Sequence, residues 1–536
     1  MTRMDAAGGL AATTTLDVTT AIDMLWDLDA PRRLAAADAT LWGADATDLA
    51  RTRLGWITTH TTSREFLPKI AQIRESMRDK GLRNVILAGM GGSSLAPEVI
   101  GKTLDLPLHI VDTTDPVAVA GALSSDLDST VVVVSSKSGS TIETESLRRA
   151  FVQAFTDAGV KNVGDHFVIV TDPGSPLEQL GKAMSATVIP ADPNVGGRYS
   201  ALTAFGLVPA ALAGADIAEL LDEADDFAAT IGNEPGDNPA LLLAAALTTG
   251  DTLSIGGDGS GIVGLGDWIE QLVAESTGKN GTGILPVVIE TSDAFGHTTP
   301  GAIDAVVGGS GMPGRLGSIA TTPPQLTVNG PLGAQFLCWE VAVALASIPL
   351  GVNPFDQPNV AESKDNTATI LADGAPDEEP SFVDGPITGY GEADTLTDAL
   401  RGLLDTATAT DGGYVAVMAY LDPHSDGAVA DVRRALADIA NVPVTFGWGP
   451  RFLHSTGQFH KGGRPTGAFL QITGHTDRNC EVPGRPYGFA ELEAAQAAGD
   501  RDALRRRGRP LVRLHLTERS DGAAALLAAI KEMARP

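Results

Sequence analysis

The chain has 536 residues and carries 67 acidic against 38 basic side chains, a formal charge of −29 at pH 7. That surplus excludes non-specific binding to nucleic acid or to an anionic membrane, both of which need clustered positive charge. With 43% apolar and 20% charged residues there is ample material for a core, and a disordered acidic chain is excluded as well. At about 150 residues per domain the length suggests three or four units. Two cysteines, Cys338 and Cys480, cannot build a disulfide framework and fit a reducing compartment. Residues 1–65 show amphipathic patterns at Thr19 to Leu28 and Pro31 to Ala37 and read as a helical N-terminal segment. The opening MTRMDAAGGL lacks a signal-peptide core, and the longest apolar stretch, Phe336 to Val352, is broken by Glu340. A cytoplasmic protein is expected.

From Asn84 the runs NVILAG, TVVVVSS, HFVIVTD and ATVIPAD alternate with helical segments, the pattern of a parallel sheet built from βαβ units, over residues 66–215. The acidic stretch Asp216 to Asn238 reads as a boundary. A second series over 240–372 holds DTLSIGG, a helix from Leu265 to Ser276, ILPVVIE, AIDAVVG and a long apolar helix from Pro331 to Ala346. After a loop rich in Pro, Asp and Glu, residues 385–536 form a third α/β portion with strands YVAVMAYL, VPVTFGW, GAFLQITG and LVRLHLT. The first two units could be copies of one sheet design.

Three turns stand out. GMGGSSLAPEV, Gly89 to Val99, delivers the first strand into a helix N-terminus, where unpaired N–H groups and the dipole suit an anion or a sugar hydroxyl. It fails the GxGxxG fingerprint at Ser94, and glycine is common in any strand-to-helix turn. SSKSGSTIETESL sets Ser136, Ser138, Ser140 and Thr141 around a second helix start with Lys137 among them, a set suited to a phosphate monoester. Capping by Ser140 or Thr141, with Glu143 assisting, explains one hydroxyl and not four. In ADPNVGGRYSALTAFGL, Arg198 follows two glycines; it could hold an oxyanion or pair with one of the many carboxylates.

Chemistry beyond binding needs a base. In GDWIEQLVAESTGKNG, Gln271 and Glu275 share a helix face, and Gly278 ends the helix so that Glu275 sits in its last turn. The dipole's negative end disfavours a carboxylate there and raises its basicity, although a solvated glutamate is the commoner outcome. NPFDQPNVAESKDN places Gln357 and Lys364 two turns apart on one face, where a lysine is most often solvated.

GMGGSSLAPEV, SSKSGSTIET, VGGRYS, QLVAESTGK and PFDQPNVAESK occur in the chain order of the glucose-6-phosphate isomerase family, which the sequence resembles from Asn84 to Lys364, and in particular it resembles the isomerase half of bacterial transaldolase–isomerase fusions. The resemblance implies an α/β fold of two flavodoxin-like sugar-isomerase (SIS) domains with an N-terminal helical cap and a C-terminal α/β extension. It implies phosphate binding by Ser136, Lys137, Ser138 and Thr141, with Lys137 acting mainly through its backbone, and sugar contacts from Gly92, Ser93, Gln271 and Gln357. Glu275 is implied as the base between C2 and C1, Arg198 as the group facing the enediolate, and Lys364 with a histidine as the ring-opening pair. The implied reaction interconverts glucose 6-phosphate and fructose 6-phosphate without a metal or redox cofactor, in a homodimer with shared sites.

The family's NGQH histidine segment is missing and Ala361 replaces a usual glutamate. Of nine histidines, His297 falls where the ring-opening residue belongs in order, with His454 and His460 of RFLHSTGQFHKGG as competitors. Thr277 stands where asparagine is usual, so a dual phosphoglucose and phosphomannose isomerase is the alternative within enzymes. A non-catalytic sugar-phosphate binder is the alternative outside them, although phosphate binding alone needs none of Glu275, Arg198 and Lys364.

Overall fold

A computed structural model describes residues 1–290, 302–309, 324–374, 378–440 and 442–534, without the side chains of Ala7 and residues 360–365. Three sheets organise these residues. The first runs Leu108–Val111, Asn84–Gly89, Thr130–Ser135, Phe167–Thr171, Thr187–Pro190 in spatial order, all parallel. Helices cover both of its faces, so a central strand such as Thr130–Ser135 is buried at every residue and reads as one apolar run. The chain leaves Asn84–Gly89 toward one edge of the sheet and Thr130–Ser135 toward the other. Open α/β sheets leave a crevice at such a reversal, outside the carboxyl ends of the strands. The register pairs Gly89 with Ser135, so the glycine turn and the serine turn emerge side by side at that crevice.

The second sheet runs Thr2–Asp5, Ala11–Thr14, Leu326–Asn329, Ile303–Gly308, Thr252–Gly257, Leu285–Val288. Its last four strands are parallel. The first two are an antiparallel hairpin on the Leu326–Asn329 edge, which corrects the all-helical expectation for residues 1–65. Helices at Thr19–Asp27, Ala30–Ala35, Ala44–Ala50 and Thr59–Thr62 follow it.

The acidic segment is also more than a boundary. It forms the helix Ile217–Ala228, which buries Ile217, Leu220, Leu221, Ala224 and Phe227 and packs on the long helix Leu332–Ala346. One apolar cluster runs from Val85 and Val131 of the first sheet to Leu253 and Ala305 of the second, so the two sheets share a core.

The third sheet runs Phe382–Asp384, Ile387–Tyr390, Leu511–Leu516, Gly467–Gly474, Tyr414–Tyr420, Val444–Trp448. The four expected strands are parallel, and an added hairpin lies antiparallel along one edge. It repeats the excursion order of the other two sheets, so one design occurs three times. The third sheet has its own core but also packs on both neighbours. Phe452, Phe459 and Phe469 cluster with Ala274, Leu285 and Val306, while Val482 and Phe489 join Ile86 and Phe151. Among the described residues no helix is long and apolar enough to cross a membrane.

Candidate active site at the crevice of the first sheet

A cavity of about 360 Å³ occupies the reversal point of the first sheet. Gly92, Ser93, Ser136, Lys137, Ser138, Thr141, Gln271, Glu275 and Gln357 all line it, together with His454 from the third portion. Two loops meet at its floor: a Cβ on Gly92 would stand 2.1 Å from the Gly197 carbonyl oxygen, so only glycine permits the approach. Ser200 Oγ donates to the Gly92 carbonyl at 3.1 Å and ties the glycine turn to the arginine turn.

In the serine turn, Ser136 Oγ lies 3.0 Å from Thr141 Oγ1 and accepts from the Gly139 amide at 3.2 Å, while the Ser140 amide donates to Ser138 Oγ at 3.3 Å. Gly139 has φ of +68°, which lets the turn close. Thr141 precedes the helix Ile142–Asp157 yet makes no capping hydrogen bond from its side chain. The Lys137 ammonium is 2.6 Å from Asp172 Oδ2, and Pro193 O accepts from it at 3.2 Å. Its charge is therefore matched locally, leaving hydroxyls and backbone amides as the donors facing the cavity.

Glu275 comes in on the helix Leu265–Thr277, in its last turn as its sequence position predicts. It is 5% exposed; burial raises its pKa above the ordinary carboxylate value, and the Arg198 guanidinium opposes that rise. Arg198 Nη1 is 3.1 Å from Glu275 Oε2 and donates to Gln357 Oε1 at 2.9 Å. Its other nitrogens donate to Ser276 Oγ at 3.0 Å and to the Pro354 and Asp356 carbonyls. Lys279, 1% exposed, grips the same loop through Asn353 O, Asp356 O and Asp356 Oδ1, and burial pushes its pKa down to about 8. A planar guanidinium locked at five points beside a buried carboxylate is a preorganised acid–base pair.

The third portion closes the cavity. His454, at the end of the short helix Arg451–His454, points Nε2 at Glu143 Oε1, 3.0 Å away, and its carbonyl accepts from Gln271 Nε2 at 2.7 Å. Gln496 Nε2 also donates to Glu143 Oε1 at 2.7 Å, and Thr114 Oγ1 donates to Gln496 Oε1 at 2.7 Å. Gln458 Nε2 donates to the Gly278 carbonyl at 2.9 Å, so the third portion also secures the end of the Glu275 helix.

Of the other sequence-derived candidates, His297 lies outside the described residues, and Lys364 lies on the helix Val360–Asp373 with its side chain outside them. His460 is buried against Tyr414, whose hydroxyl is 3.0 Å from Nδ1, and burial drives its pKa down to about 3, as suits a neutral packing residue. The Thr277 hydroxyl is committed to its own backbone, donating to Val273 O at 2.8 Å and accepting from the Ile284 amide at 3.0 Å. Sequence reasoning missed Glu143 as the partner of His454, and missed Gln496 entirely. A glutamate in the first turn of a helix reads as capping, and nothing local marks a contact 311 residues away.

The family model for phosphoglucose isomerase matches residues 59–280. A glucose-6-phosphate isomerase of Rubrobacter xylanophilus is 29% identical over 374 residues, covering 56% of this chain and 85% of the relative. One of Gloeothece citriformis is 34% identical over 238 residues, covering 40% of this chain and 44% of the relative. Against that second relative and those of comparable identity the chain thus spans less than half their length. A solved glucose-6-phosphate isomerase of Chlamydia trachomatis superposes with a TM-score of 0.56 at 20% identity, covering 68% of this chain and 89% of that one. A hypothetical protein of Thermus thermophilus superposes with the same TM-score of 0.56 at 23% identity, covering 66% of this chain and 97% of that one. These two likenesses bear out the expected α/β fold of parallel sheets. Over residues 59–280 and across these partial alignments, the chain is similar to glucose-6-phosphate isomerases.

Proposed function

We propose that the chain interconverts glucose 6-phosphate and fructose 6-phosphate through a cis-enediolate. The observation that carries this reading is the buried Arg198–Glu275 pair, 3.1 Å apart, whose glutamate lines the same cavity as the serine turn. The phosphate is held by the hydroxyls of Ser136, Ser138 and Thr141 and by the amides of their turn. Glu275 removes the C2 proton and returns it to C1, while Arg198 stabilises the oxyanion that develops in between. Gln271 and Gln357 hold the sugar hydroxyls, and Gly92 and Ser93 form the wall behind them.

Ring opening falls to His454 in this reading. It is the described histidine on the cavity wall, and Glu143 fixes its Nε2 and orients the ring. Dual action on mannose 6-phosphate gains nothing from Thr277, whose hydroxyl is engaged by the Val273 carbonyl and the Ile284 amide.

A coupled assay with fructose 6-phosphate, run on the parent and on Glu275→Gln, tests the reading. The variant is expected to lose turnover by about a hundred- to ten-thousand-fold, the usual yield of a positioned base, with KM within a few-fold of the parent. Near-normal turnover would remove Glu275 from the chemistry.

A further inference from the structure

The third sheet repeats the reversal that creates the crevice in the first. The chain leaves Tyr414–Tyr420 toward Val444–Trp448 and leaves Gly467–Gly474 toward Leu511–Leu516. The two strands lie side by side, with Tyr420 paired to Thr473 at their carboxyl ends. At that point opens a cavity of about 330 Å³, within the size range of small-ligand pockets, which shares no lining residue with the isomerase cavity.

Its wall collects polar atoms that a packed core would avoid. Among the described residues, the Tyr420 hydroxyl, one carboxyl oxygen of Glu493 and the Nε atoms of Arg501 and Arg513 are buried without a hydrogen-bond partner. Tyr420, Glu493 and Arg501 are only 1%, 7% and 5% exposed. Buried donors and acceptors left unpaired are costly, and the four residues that carry them all line this cavity.

Charge sets the class of ligand. The guanidinium groups of Arg501, Arg505 and Arg513 share one carboxylate, Glu378, at 3.8, 2.6 and 2.9 Å. Asp115 and Asp426 share the single Arg519, and Asp500 lies 2.7 Å from the Lys461 ammonium. Burial, reinforced by Asp115, favours the neutral form of Glu493. In the lining itself, the guanidinium groups of Arg501 and Arg513 thus face one ionised carboxylate, Glu378.

We propose that this crevice binds a small hydroxylated organic anion, its carboxylate or phosphate on Arg501 and Arg513 and its hydroxyls on Tyr420 and Glu493. Planar guanidinium groups suit both anions in the same geometry. The helix Phe489–Arg506 carries Glu493 and Arg501 to this ligand and, between them, Gln496 to Glu143, so the crevice and the isomerase cavity share one rigid element.

Isothermal titration of the full chain with malate, glycerol 3-phosphate and uncharged xylitol tests the proposal, on the parent and on Tyr420→Phe and Arg501→Lys. Saturable binding of at least one anion is expected, with none for xylitol, and the malate and glycerol 3-phosphate arms tell carboxylate from phosphate. Each variant should weaken that binding by about ten-fold or more, since one loses a hydroxyl donor and the other a planar fork. The isomerase cavity is untouched in both variants, so the loss isolates the crevice. Failure of both anions to saturate, equal binding of xylitol, or parental affinity in Tyr420→Phe overturns the proposal. Tyr420→Phe keeps the ring and decides the matter even if Arg501→Lys does not fold.

Discussion

At Glu275 two influences oppose each other. Burial raises the carboxyl pKa above 4.5, and Arg198 at 3.1 Å pulls it back without cancelling the rise. A base acts only when ionised, so activity is lost as pH falls through the raised value and not through the ordinary one. The kcat/KM profile should therefore bend on its acid side above pH 4.5. Arg198→Gln removes the lowering influence, so in that variant the bend should move further toward neutrality while kcat falls; a bend that stays put would mean that the pair does not communicate. For the histidine, the corresponding test is His454→Asn, expected to lower turnover of the ring-closed substrate by about a hundred-fold or more with a modest change in KM. Unchanged kinetics would move ring opening to another group. The difference between these two sites is instructive. Glu275 and Arg198 each sit in a local signal, a helix end and a glycine turn, but that signal alone left a solvated glutamate and a paired arginine open, and the order of motifs singled the two out. His454 could not be chosen over its neighbours, because its partner Glu143 lies in a different sheet unit.

Elements were legible where one strand or helix carries its own pattern, and illegible where pairing is long-range or where surface charge masks a buried face. The strands of the first sheet read correctly from their unbroken apolar runs. The helix Ile217–Ala228 read as a boundary because Asp222, Asp225 and Asp226 dominate its composition, while its apolar stripe packs inward. The Ala11–Thr14 strand is short and finds its partner Leu326–Asn329 more than 300 residues away. Two predictions belong at this scale. Gly92→Ala would set a Cβ 2.1 Å from a backbone oxygen that cannot swing aside, and should cost about 1–3 kcal/mol of stability by urea unfolding. A parental midpoint would mean that the two loops separate freely. In the fully buried helix Leu332–Ala346, burial holds the Glu340 pKa far above 4.5. Below 4.5 the folded and unfolded states are both protonated; above it the unfolded chain ionises and the folded one does not, so this residue drains stability as pH rises. Glu340→Gln should match the parent at about pH 4 and exceed it by about 1 kcal/mol or more at about pH 8. A gain independent of pH would point to packing instead of charge.

At the scale of the molecule, one sheet design occurs three times among the described residues, and the proposed site lies where the first copy's crevice receives parts of the other two. The first sheet brings the serine turn, Glu143 and Arg198; the second brings Gln271, Glu275 and Gln357; the third brings His454. The proposed substrate is a dianion and the chain is strongly acidic, so binding has to rest on donors concentrated in this cavity and not on the global field.

The family resemblance implies a dimer whose sites are shared between subunits, whereas Glu275, Arg198 and His454 around the cavity just described all come from one chain. Where a partner supplies an essential group, dilution below the dimer's dissociation constant removes activity in proportion to the monomer formed. Where a single chain supplies them all, activity per chain is flat across that range. The expected outcome is constant specific activity on dilution from about micromolar to about nanomolar chain concentration, with the oligomeric state followed in parallel by sedimentation or mass photometry. Should a dimer form and activity decline in step with its dissociation, a partner subunit completes the site, and the third portion's contribution of His454 is then not sufficient.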